Sequence, residues 1–147
     1  MSTNNTEDHD YDWVSETEEY SLACEFARLQ DHARRSVEAR NRKISDSAEE
    51  FTLAIETESR FLVRSCSGRF VSFRAHSDSI EVQCADLAED HTTTPFLLCR
   101  LSLTLNEDAE CRYRINGRGE YLRWQVMEHA LKRLLFLDPR QIKSTPS

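Results

Sequence analysis

Apolar residues recur along this chain with two different periods, and the change of period divides it. Between residues 15 and 47 there is no glycine or proline, and Leu22, Phe26, Leu29, Ala33, Val37 and Ile44 follow at steps of 4, 3, 4, 4 and 7. Steps of three and four put side chains on one face of an α-helix, so the spacing predicts a long first helix with a near-heptad stripe. Ser15 or Thr17 suits its cap, and Glu18 and Glu19 suit the positive end of its dipole. The next segment, 48–59, reads both ways. Ala48, Phe51 and Ile55 continue the stripe, whereas Phe51, Leu53 and Ile55 alternate as a strand would. The surrounding Glu and Ala tip the expectation towards helix.

From Phe61 the period falls to two. FLVR and RFVSFR flank SCSG, a hairpin turn in which Gly68 supplies the permissive backbone. A second hairpin follows around HSDS. One register places Val71 opposite Cys84, Phe73 opposite Val82 and Ala75 opposite Ile80 on one face, and pairs Arg74 with Glu81 and Ser72 with Gln83 on the other. Burial and charge agree in it, which fixes the pairing. ADLAEDHTTTP reads as a polar connection. Beyond it FLLCRLSLTL and CRYRI flank NEDAE, with Leu105 against Cys111, Leu103 against Tyr113 and Leu101 against Ile115. NGRG ends that strand, and GEYLRWQVMEHALKRLLFLD then reads as a second helix whose apolar face is Trp124, Met127, Leu131, Leu134 and Leu135. The order helix, strands joined by short turns, helix predicts the α+β class: an antiparallel sheet of four to five strands, built from two hairpins and packed under a long N-terminal helix and a C-terminal helix.

Charge changes the picture at one end. The chain of 147 residues carries a net charge of −7, and seven of its 26 acids lie in residues 1–20 without a lysine or arginine among them. The remainder balances at nineteen acids and nineteen bases, sixteen of them arginine in the whole chain. Residues 1–14 are thus expected to be a disordered acidic tail, 15–138 a single domain and 139–147 a flexible C-terminal tail. No apolar run approaches the ~20 residues of a membrane span, and the N-terminus has neither the basic start nor the apolar centre of a secretory signal. Five cysteines in odd number, without a C-x-x-C pair, fit reduced thiols and a cytoplasmic setting.

Candidate chemistry is sparse. In CRYRING, Arg112 and Arg114 alternate with Cys111, Tyr113 and Ile115, so a strand turns both arginines to the face opposite the core, together with Arg100 and, if the hairpins lie side by side, Arg74. Clustered cations on a sheet need an anion over them. Water and salt, the acidic tail or another subunit's acids, or an external phosphate, nucleotide or nucleic acid would serve. The acidity of the chain and the lack of an aromatic platform weigh against nucleic acid. The basic run 32–43 surrounds its helix and pairs internally through Glu38, which reads as a solvated face. Cys66 sits at a turn near Arg64 and Arg69, where positive charge favours a thiolate, yet no histidine precedes it and the spacing to Arg69 is too short to wrap a phosphate. The histidines show no metal spacing, and NGRG lacks the full glycine pattern of a nucleotide loop.

No catalytic, metal or cofactor motif stands out, so an enzyme is the minority reading. The reading preferred from sequence is a cytoplasmic protein-interaction module, of adaptor, chaperone-like or neutralising kind. It would form a homodimer through the stripe Leu22, Phe26, Leu29, Ala33 and Val37, and dock a protein partner. The alternative is a domain that binds an anion, such as a nucleotide, a phosphate ligand or nucleic acid, through Arg74, Arg100, Arg112 and Arg114.

Overall fold

The computed structural model describes residues 13–87 and 93–136. Helix α1 (Trp13–Asn41) leads through a short 3-10 turn (Ser47–Glu49) to β1 (Thr52–Thr57), β2 (Arg60–Arg64), β3 (Phe70–Ala75), β4 (Ile80–Leu87), β5 (Thr93–Leu105), β6 (Cys111–Ile115) and β7 (Arg118–Tyr121), and α2 (Arg123–Phe136) closes the order. The class is α+β, as expected. The sheet has seven antiparallel strands in strict chain order, rather than four or five. No helix among the described residues is long and apolar enough to cross a membrane. The expected tails, apart from Trp13 and Val14 in α1, lie outside the described residues.

Both inner hairpin registers hold pair for pair. Val71 faces Cys84, Phe73 faces Val82 and Arg74 faces Glu81, while Leu101 faces Ile115, Leu103 faces Tyr113 and Leu105 faces Cys111. The two added strands are the sheet's edges. Segment 48–59 is not α-helix but the end of the 3-10 turn followed by β1: Asn41 ends α1 by turning its side-chain amide onto the backbone of Phe51, donating to its carbonyl at 3.0 Å and accepting from its N–H at 2.8 Å. The chain then runs extended, with Leu53 opposite Val63 and Ile55 opposite Phe61. NGRG does not end the sheet either. Asn116 and Gly117 both have positive φ, 53° and 76°, the signature of a two-residue hairpin turn matched to strand twist. The chain therefore returns as β7, and α2 starts only at Arg123. Leu122 and Gln125 cap it reciprocally, the Leu122 N–H donating to Gln125 Oε1 at 2.8 Å and the Gln125 N–H to the Leu122 carbonyl at 3.0 Å. The supposed polar connection 85–95 is also shorter than expected, because Ala85 pairs with Pro95 and Leu87 with Thr93 inside the β4–β5 ladder.

One face of the sheet carries Phe61, Val63, Val71, Phe73, Ile80, Val82, Leu101 and Tyr113, all buried beneath the two helices. Phe61 stacks on Phe73 with ring centroids 4.8 Å apart and meets Phe26 of α1 at 5.3 Å. Each such side chain removed from water contributes about 1.5–3 kcal/mol. The whole α1 stripe is consumed here. Leu22, Phe26, Leu29, Ala33 and Val37 are at most 8% exposed within this single chain, so a dimer that used the same stripe would have to unpack the core. On α2 the buried face is Val126, Met127, Ala130, Leu131, Leu134 and Leu135. Trp124, expected to belong to it, stands outside.

Candidate functional site

α1 and α2 lie side by side over the sheet, and their outer surfaces leave a groove of about 570 Å³ between them. Small side chains make the space on the α1 side, Ser36 and Ala39, and Met127 and Leu131 of α2 supply the apolar floor. Trp124 and Phe136 stand at the two ends of α2, 54% and 60% exposed, about 18 Å apart along its axis by the helical rise. Cations border the groove. Arg40 donates from Nε to the Leu135 carbonyl at 2.8 Å, which caps the last turn of α2, and lies over the Phe136 ring at 4.9 Å. Lys43 lies near it, and Lys132 pairs loosely with Glu128 at 3.9 Å.

At the Trp124 end the groove meets a second cavity of about 300 Å³, which shares His32 and Trp124 with it and is otherwise lined by Glu25, Cys111, Arg112, Tyr113, Leu122 and Arg123. Its floor is polar. The Glu25 side chain, 6% exposed, accepts from the Tyr113 hydroxyl at 2.6 Å, from Arg123 Nε and Nη2 at 3.1 Å each and from Arg28 Nη1 at 2.7 Å. Burial by itself drives this carboxyl upward, but the hydrogen bonds from Tyr113 and Arg28 and the charge of Arg123 together outweigh it and hold Glu25 below the ordinary carboxylate range. The Tyr113 phenol is pushed well above its usual value by burial and by its bond to Glu25. Burial, with Arg35 and Arg123 near it, lowers His32. The Cys111 thiol is raised by burial and by Glu25. A saturated carboxylate is a poor base, and a raised thiol is a poor nucleophile. This cluster fixes α1, β6 and α2 against one another and offers no activated group.

The arginines of the outer face fall into two places. In one row across four strands, Arg60 faces Arg74, Arg74 faces Glu81 and Glu81 faces Arg100. Glu81 gives its oxygens to Arg100 at 3.3 Å and to His76 at 3.5 Å, not to Arg74, its directly opposed neighbour. Arg60 pairs with Glu56; burial, and Arg74 beside it, hold its guanidinium below the ordinary arginine value. On β6, Arg114 lies opposite Ser102, diagonally beside Arg100, and Arg112 lies farther along opposite Thr104. Arg112 is half-buried and turned to Glu110 at 3.0 Å and to the carbonyl of Cys111 at 2.9 Å, whereas Arg114 is exposed. Among the described residues neither Arg74 nor Arg114 has a carboxylate within ion-pair distance. Of the four arginines expected to act together, Arg74 and Arg100 share a row and Arg114 lies diagonally beside Arg100, whereas Arg112 is turned to Glu110 and lines the helix-end cavity.

Sequence reading missed Glu25, Arg123 and the exposed aromatics of α2. Glu25 did leave a signal, because it lies three residues after Leu22 and four before Leu29, on the apolar stripe, where an acid needs a buried partner. Cys66 is exposed at the β2–β3 turn. Among the described residues no group of three or more His, Cys, Asp or Glu side chains is disposed to hold a metal. No family model, curated protein or solved structure matches the chain.

Proposed function

We propose that the protein is a non-enzymatic interaction module, cytoplasmic in setting, that docks an amphipathic helix of a protein partner in the groove between α1 and α2. The observation that carries this reading is the pair of large aromatics left exposed at the two ends of an apolar floor. Isolated exposed apolar residues need no explanation, but a trough between Trp124 and Phe136 is the shape that receives i, i+4, i+7 anchors. A few aromatic side chains, tryptophan above all, carry most of the binding energy at protein interfaces once a partner buries them. Arg40, Lys43 and Lys132 beside the groove favour a partner helix whose flanks carry Asp or Glu. Adaptor, chaperone-like and neutralising roles all fit such docking.

A second reading, anion binding on the outer face, is supported by Arg74 and Arg114, which are exposed and have no carboxylate partner among the described residues. One comparison separates the two. The native partner is captured on the full chain, on Trp124→Ala/Phe136→Ala and on Arg74→Glu/Arg114→Glu. Loss of the partner from the first variant alone supports the groove. Retention there with loss from the second overturns it in favour of the arginine face.

A further inference from the structure

The two halves of β5 differ in what lies beside them. β4 pairs along the strand from Thr93 to Leu101, but β6 covers only Leu101–Leu105 on the other side, with Asn116 adding two bonds to the backbone of Arg100. Among the described strands, residues 94–99 therefore have a neighbour on one edge and none on the other. A strand edge without a neighbour presents a row of unsatisfied N–H and C=O groups, the template for pairing with another extended backbone. This stretch spans about 20 Å at the usual rise per residue.

Its side chains fit that use. Phe96 and Leu97 are 50% and 46% exposed, and because consecutive strand residues point to opposite faces they leave an apolar surface on each side of the edge. The other two edges of the sheet are guarded. β1 carries the charged Glu56 beside its bulge between Ile55 and Thr57, and β7 is four residues long with Arg118 and Glu120, whereas the bulge of β5 at Leu98 comes with no charge. Residues 94–99, TPFLLC, contain no charge. Pro95 removes one donor, which an edge tolerates and which excludes pairings that need its N–H.

We propose that this half of β5 is a dimerisation edge, joining antiparallel to the same segment of a second copy and continuing the sheet across a two-fold axis. The absence of charge selects that occupant. About a two-fold axis a strand meets its own sequence reversed, so any charge near the centre is brought towards its like. On a chain of net charge −7 an uncharged edge is where two copies approach at least electrostatic cost. The proposal is independent of the groove.

Sedimentation of the full chain over a wide concentration range tests it. The wild type should pass from monomer to dimer, with hydrogen exchange of amides 94–99 slowing as the dimer forms. Phe96→Lys and Leu97→Lys, both at exposed positions, should keep the melting temperature and raise the dimer dissociation constant by about a hundredfold or more, since each places two like charges in one interface. Ile55→Lys on β1 and Trp124→Ala/Phe136→Ala in the groove should leave the dimer intact, which separates this edge from the partner site. A wild type that stays monomeric at every concentration, open-ended oligomers, or a dimer indifferent to both lysines would each overturn it.

Discussion

Two of the places where the molecule sets arginine against glutamate differ in nearly everything but residue type. Between the helices and β6, the nearly buried Glu25 side chain receives four hydrogen bonds from Tyr113, Arg123 and Arg28. On the outer face, Glu81 takes single contacts from Arg100 and His76 at 3.3 and 3.5 Å, and Arg100 remains largely in solvent. Water decides what each is worth. A buried carboxylate depends on all its donors, because removing either side leaves a group that neither solvent nor protein satisfies. An exposed pair exchanges protein contacts for water almost evenly. The inner group therefore joins three elements, and the outer row remains free to meet something else.

Truncating each acid tests this contrast most severely. Glu25→Ala should cost about 3–5 kcal/mol in denaturant unfolding, because Arg123 and Tyr113 lose their common acceptor. Glu81→Ala should cost less than about 1 kcal/mol. Equal costs would abolish the distinction.

Acid acts on the same group without mutation. Glu25 is held below its ordinary value of 4.5 in the folded chain. Its contribution is thus fully present above that pH and is lost as pH falls through the lower, folded value. His32, lowered from 6.5, acts with the same sign: its share of the stability is complete above 6.5 and declines as pH falls below it. Unfolding free energy should decline in two stages on acidification. Glu25→Gln should remove the lower stage and His32→Gln the upper. Tyr113→Phe comes next, at about 1–2 kcal/mol for one lost hydrogen bond to a charged acceptor, with Arg123 still in place to hold the carboxylate.

Legibility in the sequence followed the same line between inside and outside. The β3–β4 and β5–β6 registers were readable because each carries information on both faces, apolar pairs inward and polar pairs outward, so that a slip of one residue spoils both. The edge strands carry less of it, one inward residue each, Leu53 and Tyr121, packing against the core. Ile55 of β1 is 56% exposed despite its apolar side chain, and β7 is mostly Arg, Gly and Glu. The Asn116–Gly117 turn was a stronger signal than the segments it joins, and a dipeptide of that kind between two extended runs deserved the weight of a hairpin. The end of α1 at Asn41 was not legible at all, since the contact that ends it is made with Phe51 across the chain's reversal. Glu25 could be suspected from its place on the stripe, but its partner Arg123 lies 98 residues away. For the arginines, strand parity fixes direction but not which carboxylate each guanidinium will reach, and Arg112 turned to Glu110 and to the helix-end cavity.

The smallest effect is expected at Arg74, and there a near-zero result is informative. Arg74 lies between Arg60, which it repels, and Glu81, whose oxygens are turned to Arg100 and His76. Arg74→Gln should therefore change stability by no more than about 0.5 kcal/mol. A slight gain at low ionic strength should fade by 0.15 M salt, where charges more than ~8 Å apart are largely screened. A loss of more than about 1 kcal/mol would mean that this guanidinium belongs to the outer row's own structure, and would bring the two arrangements closer together. If it does not, a cation kept in the open without a structural task is the residue to follow in any titration with phosphate or an acidic peptide. Binding that disappears in a variant of unchanged stability would assign the charge to a ligand rather than to the fold.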